Sequence, residues 1–253
     1  MENSMQQTEK KRTGVILAAG LGSRLAKTGY VEKPLVPVQG ISLLLRTLRS
    51  LELACHRAVI VLGFEGETIH SYVKHHYTGT MELVFAFNRN YVLANGVSVL
   101  AAKEYLDGDF ILTMADHIME SSLVELALHH TPVTGGATLL VDYKLDTIFD
   151  MADATKVFER DGQIRSIGKE LETFNCVDTG LFICTSGLLK ALESIYKAKG
   201  DVSLSEGVQQ LCENNLMNCL DIGDGFWQDV DTEEMLKHAE EQLRKRLVKK
   251  VAA

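Results

Sequence analysis

Short apolar segments of strand character alternate with amphipathic segments of helical character along the first half of the chain. The predicted strands are residues 13–19, 57–63, 82–87 and 109–115. The predicted helices are residues 42–54, 65–77, 97–106 and 120–130. A regular alternation of strand and helix is typical of a parallel sheet with crossover helices. Ligands of such sheets bind beyond the carboxyl ends of the strands, so we expect the functional site at that edge.

The second half of the chain carries more strand-like segments in succession. The predicted strands are residues 136–143, 155–160, 163–167, 177–184 and 217–222. Asp161 and Gly162 form a hairpin-turn signal between two of them. Helices are predicted over 187–199 and 203–214, and a last one from Asp231, acidic at its start and basic at its end.

The whole pattern predicts an α/β protein with a mostly parallel central sheet, flanking helices and a small β-rich lid from about residue 136 onward. No internal repeat or low-complexity linker interrupts it. We therefore expect a flexible, charged leader over residues 1–12 and a single domain over 13–250.

Composition narrows the functional classes. A net charge of −8 argues against broad nucleic-acid binding, which needs a cationic surface. The five cysteines are scattered without a C-x-x-C pair, which favours reduced thiols in a cytoplasmic protein. The polar N-terminus does not look like a secretory signal, and no apolar run is long enough to span a membrane. We expect a soluble, cytoplasmic protein.

A glycine-rich turn follows the first predicted strand, in the segment LAAGLGSRL at 17–25. Glycines let backbone N–H groups approach phosphate oxygens. No Gly-Lys-Ser/Thr follows, which excludes a Walker loop, and Arg24 and Leu25 occupy the place of the third glycine of a dinucleotide fingerprint. Arg24 and Lys33 add two cations beside the turn. A glycine turn with two solvated cations is the alternative, but the combination favours a triphosphate site.

Acidic residues mark two further places. Asp116 ends the fourth strand, where it could hold Mg²⁺ or simply cap a helix. His117 beside it is interpreted as structural, because a phosphate nucleophile needs no general base. Asp229 and Asp231 lie two residues apart, and Asp231 or Thr232 could cap the last helix. We expect at least one of these two aspartates to complete a Mg²⁺ site with Asp116.

Together these motifs resemble the sugar-phosphate nucleotidyltransferase superfamily. Four further strings are similar to the CTP:inositol-1-phosphate cytidylyltransferases: LANGVSVLAA at 93–102, TMADHIME at 113–120, FDMADATKVF at 149–158 and IGKELETFNCVDTGLF at 167–182. The similarity covers about residues 13–240. It implies a Rossmann-like nucleotidyltransferase fold and a Mg²⁺-assisted in-line transfer of a cytidylyl group from CTP to inositol phosphate, giving CDP-inositol and pyrophosphate.

The resemblance also implies roles for single residues, with Arg24, Lys33 and Lys169 as the catalytic cations. The triphosphate would be held by Leu17, Ala18, Ala19, Gly20, Gly22, Ser23 and Arg24. Lys33 would reach the α-phosphate. The base or ribose would contact Asn95, Gly96 and Ser98. Asp116, with Asp229 or Asp231, would bind the nucleotide's Mg²⁺. Lys169 would bind the acceptor's phosphate and Asp178 its hydroxyls. Without the resemblance, Lys169 can equally be an exposed turn lysine and Asp178 part of a strand-entry turn.

Many members of this family carry a membrane-embedded CDP-alcohol phosphotransferase domain. No such domain follows in this sequence, so we expect the product to be used either by a separate membrane enzyme or by a membrane domain that this sequence does not include.

Several alternatives remain from the residues alone. The acceptor could be phosphocholine or a phosphonate, for which a cation cage could use the aromatic side chains of Tyr143, Phe149, Phe174 and Phe182. Another sugar phosphate is also compatible. A polyol acceptor should instead use hydrogen-bonding side chains, such as Asp142, Lys144, Asp153 and Asp178. A non-catalytic nucleotide-sensing module is disfavoured, because it has no reason to keep Arg24, Lys33, Asp116 and Asp231 together.

Overall fold

The computed structural model describes residues 11–26 and 32–252. Residues 1–10 of the predicted leader therefore lie outside the described part of the chain. The strands are β1 Arg12–Ala18, β2 Pro37–Val38, β3 Ile41–Ser42, β4 Cys55–Leu62, β5 Glu82–Phe87, β6 Phe110–Met114, β7 His117–Met119, β8 Ala137–Asp142, β9 Lys156–Arg160, β10 Gln163–Gly168, β11 Cys176–Cys184, β12 Met217–Asp221 and β13 Trp227–Asp229. The helices are α1 Ser23–Ala26, α2 Leu43–Leu51, α3 Gly66–His76, α4 Asn95–Ala101, α5 Ser121–His129, α6 Ser186–Lys199, α7 Leu204–Glu213 and α8 Glu233–Ala252.

Nine strands form one sheet in the order β5-β4-β1-β6-β11-β8-β12-β10-β9. The first four are parallel to one another, as the alternation of strand and helix predicts. β11 is antiparallel to both β6 and β8, and β10 is antiparallel to both β12 and β9. The sheet is therefore mixed rather than mostly parallel, because the second half of the chain enters it largely through antiparallel strands.

Helices cover both faces of the sheet. Neighbouring residues of β1 point to opposite faces, so that Val15 packs with α4, α6 and α7 while Ile16 packs with α2, α3 and α5. A third apolar cluster lies beside the sheet and joins short elements from distant parts of the chain. Its buried members are Leu25, Val36, Val38, Leu43, Ile118, Val230, Leu236 and Ala239. This cluster fixes α1, β7 and α8 relative to one another.

Local sequence explains the ends of several elements. Ser42 caps α2, Thr185 caps α6, and Ser203 forms a capping box at the start of α7. Gly200 ends α6 in the left-handed conformation, which glycine adopts without steric cost. The predicted hairpin turn is confirmed, since Asp161 and Gly162 both have positive φ between β9 and β10.

Two details differ from the sequence prediction. The helix predicted over 97–106 is α4 followed by a 3₁₀ turn at Lys103–Tyr105, because Ala102 ends the α-helical hydrogen bonding. The pairs β2–β3 and β7–β13 escape prediction, because strands of two or three residues are too short to show a periodicity. Among the described residues, no helix is both long enough and apolar enough to cross a bilayer.

Candidate active site

The glycine-rich turn leads from the end of β1 into α1. Gly22 has a φ of +59°, and a Cβ built on it would lie 2.6 Å from the Cβ of Lys33. The glycine therefore permits the left-handed turn and lets Lys33 pack against it. Gly20 has no such neighbour, since a Cβ there would meet no atom within 4 Å. The backbone at Gly20 is therefore not covered by any neighbouring side chain of the described residues.

Lys33 is not a solvated surface cation, because its side chain is only 10% exposed. Its ammonium group is paired with Oδ2 of Asp116 and Oδ1 of Asp231. Burial alone would lower the pKa of Lys33, but the two carboxylates outweigh it and raise the pKa above its usual value. The lysine is therefore held charged between the end of β6 and the start of α8.

Arg24 extends the same network toward the second half of the chain. Its Nη1 lies 2.8 Å from Oδ2 of Asp153, and its Nη2 lies 2.8 Å from Oδ2 of Asp231. Asp153 also pairs with Lys169 through Oδ1. The result is a continuous series of alternating charges, which runs through Lys169, Asp153, Arg24, Asp231, Lys33, Asp116 and His117. The three predicted catalytic cations thus belong to one network.

Asp116 lies in the bend between β6 and β7. The N–H of Val230 donates to its carbonyl oxygen at 3.0 Å, and β13 pairs with β7 so that Asp229 lies opposite His117. Asp116 Oδ1 is 2.6 Å from Nδ1 of His117. Burial acts to raise the pKa of Asp116, but Lys33 and His117 outweigh it and hold the pKa well below its usual range. For His117, burial is outweighed by Asp116, which raises the pKa of the imidazole.

At the start of α8, Thr232 rather than Asp231 is the residue that caps the helix. Its Oγ1 accepts a hydrogen bond from the N–H of Met235 at 3.2 Å. The carboxylate of Asp231 is directed instead to Arg24 and Lys33. The neighbouring threonine therefore leaves Asp231 available for the site.

One group of carboxylates fits a divalent cation. Asp229, Asp231 and Asp153 each offer an oxygen, and these oxygens lie within 4.8 Å of one another. Burial and the negative charge of Asp231 raise the pKa of Asp229, so a bound cation would favour its ionised form. Hard carboxylate oxygens are the ligands that Mg²⁺ prefers. The group contains two of the three predicted ligands, but with Asp153 in place of Asp116, which pairs with Lys33 and His117.

A cleft of about 1520 Å³ opens beside this group and is lined by both halves of the chain. Asp178 lies in its wall, where Oδ1 accepts a hydrogen bond from the N–H of Gly180 at 2.6 Å. Burial raises the pKa of Asp178 to about 6. Asp142 accepts a hydrogen bond from Nε1 of Trp227 at 3.0 Å. Lys169 also lines the cleft, with half of its side chain exposed.

The residues predicted to contact the base or ribose lie at the start of α4. Asn95 lines the cleft, and its Oδ1 accepts a hydrogen bond from the N–H of Leu204 at 2.8 Å. A Cβ on Gly96 would lie 2.6 Å from the carbonyl oxygen of Val202. Ser98 is buried and accepts a hydrogen bond from Asn88 at 2.9 Å. All three therefore help α4 to pack, and among them Asn95 alone belongs to the cleft wall.

The other residues predicted to bind the triphosphate either precede the glycine-rich turn or lie at its end. Ala18 and Ala19 are buried, and the carbonyl oxygen of Ala19 accepts a hydrogen bond from the N–H of Phe64 at 3.2 Å. Leu17 is partly buried and packs into the core. The side chain of Ser23 lies outside the described part of the chain.

The sequence indicated Asp153 only as a possible acceptor contact and indicated no role for Trp227 or Gly180. In the structure, Asp153 links Arg24 to Lys169, Trp227 flanks His117, and Gly180 makes room for the His117 ring. The acidic loop around Asp153 and the pair of aspartates after Trp227 were the available signals. Neither signal reveals which partners these residues meet, because the partners are distant in sequence.

Comparison with known proteins agrees with this architecture. The family described as the MobA-like NTP transferase domain matches residues 14–205. The structure of the inositol-1-phosphate CTP transferase from T. maritima superposes with a TM-score of 0.81 and 24% identity, over 93% of this chain and 96% of that one. The nucleotidyltransferase fold is therefore shared.

Two curated relatives share the name bifunctional IPC transferase and DIPP synthase. The protein from Aquifex aeolicus is 34% identical over 243 residues, which are 94% of this chain and 53% of the relative. The protein from Archaeoglobus fulgidus is 32% identical over 240 residues, which are 95% of this chain and 45% of the relative. The chain thus spans about half the length of these curated relatives.

Proposed function

This chain belongs to the MobA-like NTP transferase domain family, and from that premise we propose that it transfers a cytidylyl group from CTP to an inositol phosphate. The products are CDP-inositol and pyrophosphate. The names of the relatives support this choice, since two above 30% identity are called IPC transferase and the structural neighbour is called an inositol-1-phosphate CTP transferase.

The observation that carries the proposal is the charge network between the two halves of the chain. Arg24 beside the glycine turn and Lys169 on the second half meet at the same carboxylate of Asp153. A transfer from a triphosphate to a phosphorylated acceptor needs cations for both partners at one place. The network supplies them from both halves of the chain.

The lining of the cleft supports a polyol acceptor. All four side chains expected for hydroxyl recognition line it, namely Asp142, Lys144, Asp153 and Asp178. Of the four aromatic residues considered for a cation cage, only Phe149 and Phe182 do so. Phe149 stacks on His238, with ring centroids 4.3 Å apart, and Phe182 is 1% exposed. A cage for a quaternary ammonium group therefore has less support than hydrogen bonding to hydroxyls.

The residues act by binding and orienting the phosphates. An oxygen of the acceptor's phosphate attacks the α-phosphorus of CTP in line, and the bond to pyrophosphate breaks. Arg24 and Lys33 exchange carboxylate partners for phosphate oxygens and stabilise negative charge on the leaving group. Lys169 holds the attacking phosphate. Until the substrates bind, Asp116, Asp153 and Asp231 hold these cations in place.

The same carboxylates create the need for a metal. Asp153, Asp229 and Asp231 would hold Mg²⁺, and Asp116 would take part once Lys33 turns to the nucleotide. Bound there, Mg²⁺ would neutralise phosphate charge and orient the substrates. Without added cations, the carboxylates lining the cleft would repel both anionic substrates.

A grid of substrates tests the proposal. Four nucleoside triphosphates are combined with inositol 1-phosphate, choline phosphate, 2-aminoethylphosphonate and glucose 1-phosphate, and pyrophosphate release is measured with Mg²⁺. We expect the highest kcat/KM for CTP with inositol 1-phosphate. A higher value for another acceptor would replace the proposed substrate, and no release in any combination would contradict transferase activity.

A further inference from the structure

His117 has a neighbourhood that a purely structural histidine does not need. Its Nδ1 lies 2.6 Å from Asp116, and because an ionised carboxylate only accepts, Nδ1 carries the hydrogen. The Trp227 ring lies nearly parallel to the imidazole at 16°, with centroids 6.0 Å apart. The backbone carbonyl of His117 is engaged by Thr47. The ring is therefore oriented by Asp116 and flanked by Trp227 of β13, while α2 contacts only the backbone of His117.

Gly180 leaves room for the edge of the His117 ring that carries Cδ2 and Nε2. A Cβ on Gly180 would lie 2.6 Å from both Cδ2 and Nε2 of His117. The glycine also has a φ of +75°, which other residues rarely adopt. Any side chain at this position would push the Nε2 edge away, so β11 is shaped around the histidine.

The Nε2 atom and one carboxylate oxygen of Asp178 remain available to a ligand. Both residues line the cleft, and no described residue hydrogen-bonds Nε2 of His117. Asp178 uses Oδ1 for the N–H of Gly180, which leaves Oδ2 without a protein partner among the described residues. Both residues contact Gly180: Asp178 accepts a hydrogen bond from its N–H, and the His117 ring packs against its Cα. A hydroxyl has one hydrogen and two lone pairs, so it can pair with both atoms, whichever of the two carries a proton.

We propose that His117 is a specificity-determining residue, whose Nε2 forms with Asp178 a binding site for one hydroxyl of the acceptor while its Nδ1–H positions Asp116. This inference rests on the proposed function, since it assigns part of the polyol to these atoms. One imidazole then connects acceptor recognition with the charge network that holds Lys33 and Arg24.

Two amide substitutions separate the two ends of the ring. The amide of His117→Asn can replace Nδ1 and loses Nε2, whereas the amide of His117→Gln reaches toward Nε2 and loses the donor to Asp116. Steady-state kinetics are measured with CTP, Mg²⁺ and inositol 1-phosphate, after thermal melting has shown that each variant is folded. We expect His117→Asn to raise the acceptor KM about 10- to 100-fold with a nearly unchanged CTP KM. His117→Gln should lower kcat more than it raises the acceptor KM.

A series of monodeoxy inositol 1-phosphates then locates the contact. Removal of one particular hydroxyl should cost the wild-type enzyme about 10- to 100-fold in kcat/KM and cost His117→Asn several-fold less, since only the contact with Asp178 is then lost. Gly180→Ala, which displaces the ring edge, should behave like His117→Asn. Wild-type acceptor KM in His117→Asn would overturn the inference, as would an equal further loss on every deoxy acceptor. No turnover of inositol 1-phosphate by the wild-type enzyme would instead refute the proposed function on which the inference rests.

Discussion

At the scale of the residue, the charge network consists of cations that lie between carboxylates. Lys33 is the most enclosed of them, with Asp116 and Asp231 on either side. An enclosed ion pair is costly to break from one side, because the remaining charge keeps its desolvation penalty. The same enclosure keeps Lys33 charged and oriented before a nucleotide binds, which favours catalysis by positioning.

The first prediction concerns this lysine. Lys33→Met should lower kcat at least 100-fold and reduce the free energy of unfolding by about 3 kcal/mol, because two carboxylates lose their shared counterion. Lys103→Met is the matched control, since Lys103 also forms an ion pair, with Glu193, but half of its side chain is exposed. The control should change stability by less than about 1 kcal/mol. Urea unfolding and pyrophosphate release measure the two effects, and equal behaviour of the variants would contradict the assignment.

The second prediction follows from the buried carboxyl group of Asp178. Its folded pKa of about 6 exceeds the ordinary value of about 3.9, so the folded state binds more protons than the unfolded state between these values. Stability from this group is therefore present below pH 4 and lost as the pH rises to 6. Asp178→Asn should raise the free energy of unfolding by about 3 kcal/mol at pH 8 and leave it nearly unchanged near pH 4. Urea unfolding across pH 4–8 checks this, and a difference that does not depend on pH would refute it.

At the scale of the element, short segments do most of the positioning. β7 and β13 have only three residues each, yet their pairing places Asp229 opposite His117. The cap of α8 at Thr232 and the turn at Gly22 likewise orient Asp231 and Lys33. Such segments carry no periodic signal, so the sequence indicated that acidic residues occur here without indicating which of them meet.

The third prediction compares the two glycines of the turn. Gly22→Ala should destabilise the protein by about 1 kcal/mol and lower turnover, because the positive φ is strained and the new Cβ meets Lys33. Gly20→Ala meets no atom and has an ordinary φ, so the fold should be unaffected. Because the phosphates of CTP are expected to lie against this turn, the Gly20→Ala variant should nevertheless bind CTP more weakly than the wild-type protein. Melting temperatures and CTP titrations distinguish the two effects, and wild-type behaviour of Gly22→Ala would remove the turn from the site.

The fourth prediction concerns the start of α8. Thr232→Ala removes the cap and should cost about 1 kcal/mol of stability while turnover is retained. Asp231→Asn should keep the helix and lose most of the turnover, since it weakens the contacts with Arg24 and Lys33. Unfolding and activity are measured for both variants. The reverse pattern would make Asp231 the structural residue of the pair.

At the scale of the whole molecule, the sheet joins a parallel half, formed by β1, β4, β5 and β6, to a largely antiparallel half from the rest of the chain. The nine strands of the central sheet and most helices were predictable, because each has an apolar pattern of its own. The mixed direction of the sheet was not, since β11 inserts between β6 and β8 without leaving a local pattern. The charge network was unpredictable for the same reason. Arg24 and Asp153 are 129 residues apart in the chain, and only the tertiary fold brings them to 2.8 Å.

The proposed function requires that the cytidylyl group of CTP, which contains the α-phosphorus, is transferred to an inositol phosphate. The direct measurement uses CTP labelled at the α-phosphorus, with inositol 1-phosphate and Mg²⁺, and follows both labelled product and pyrophosphate. We predict label in CDP-inositol in equal amount to the pyrophosphate released, and loss of both when the metal is chelated. Pyrophosphate release without labelled CDP-inositol, or undiminished product formation in excess chelator, would contradict it.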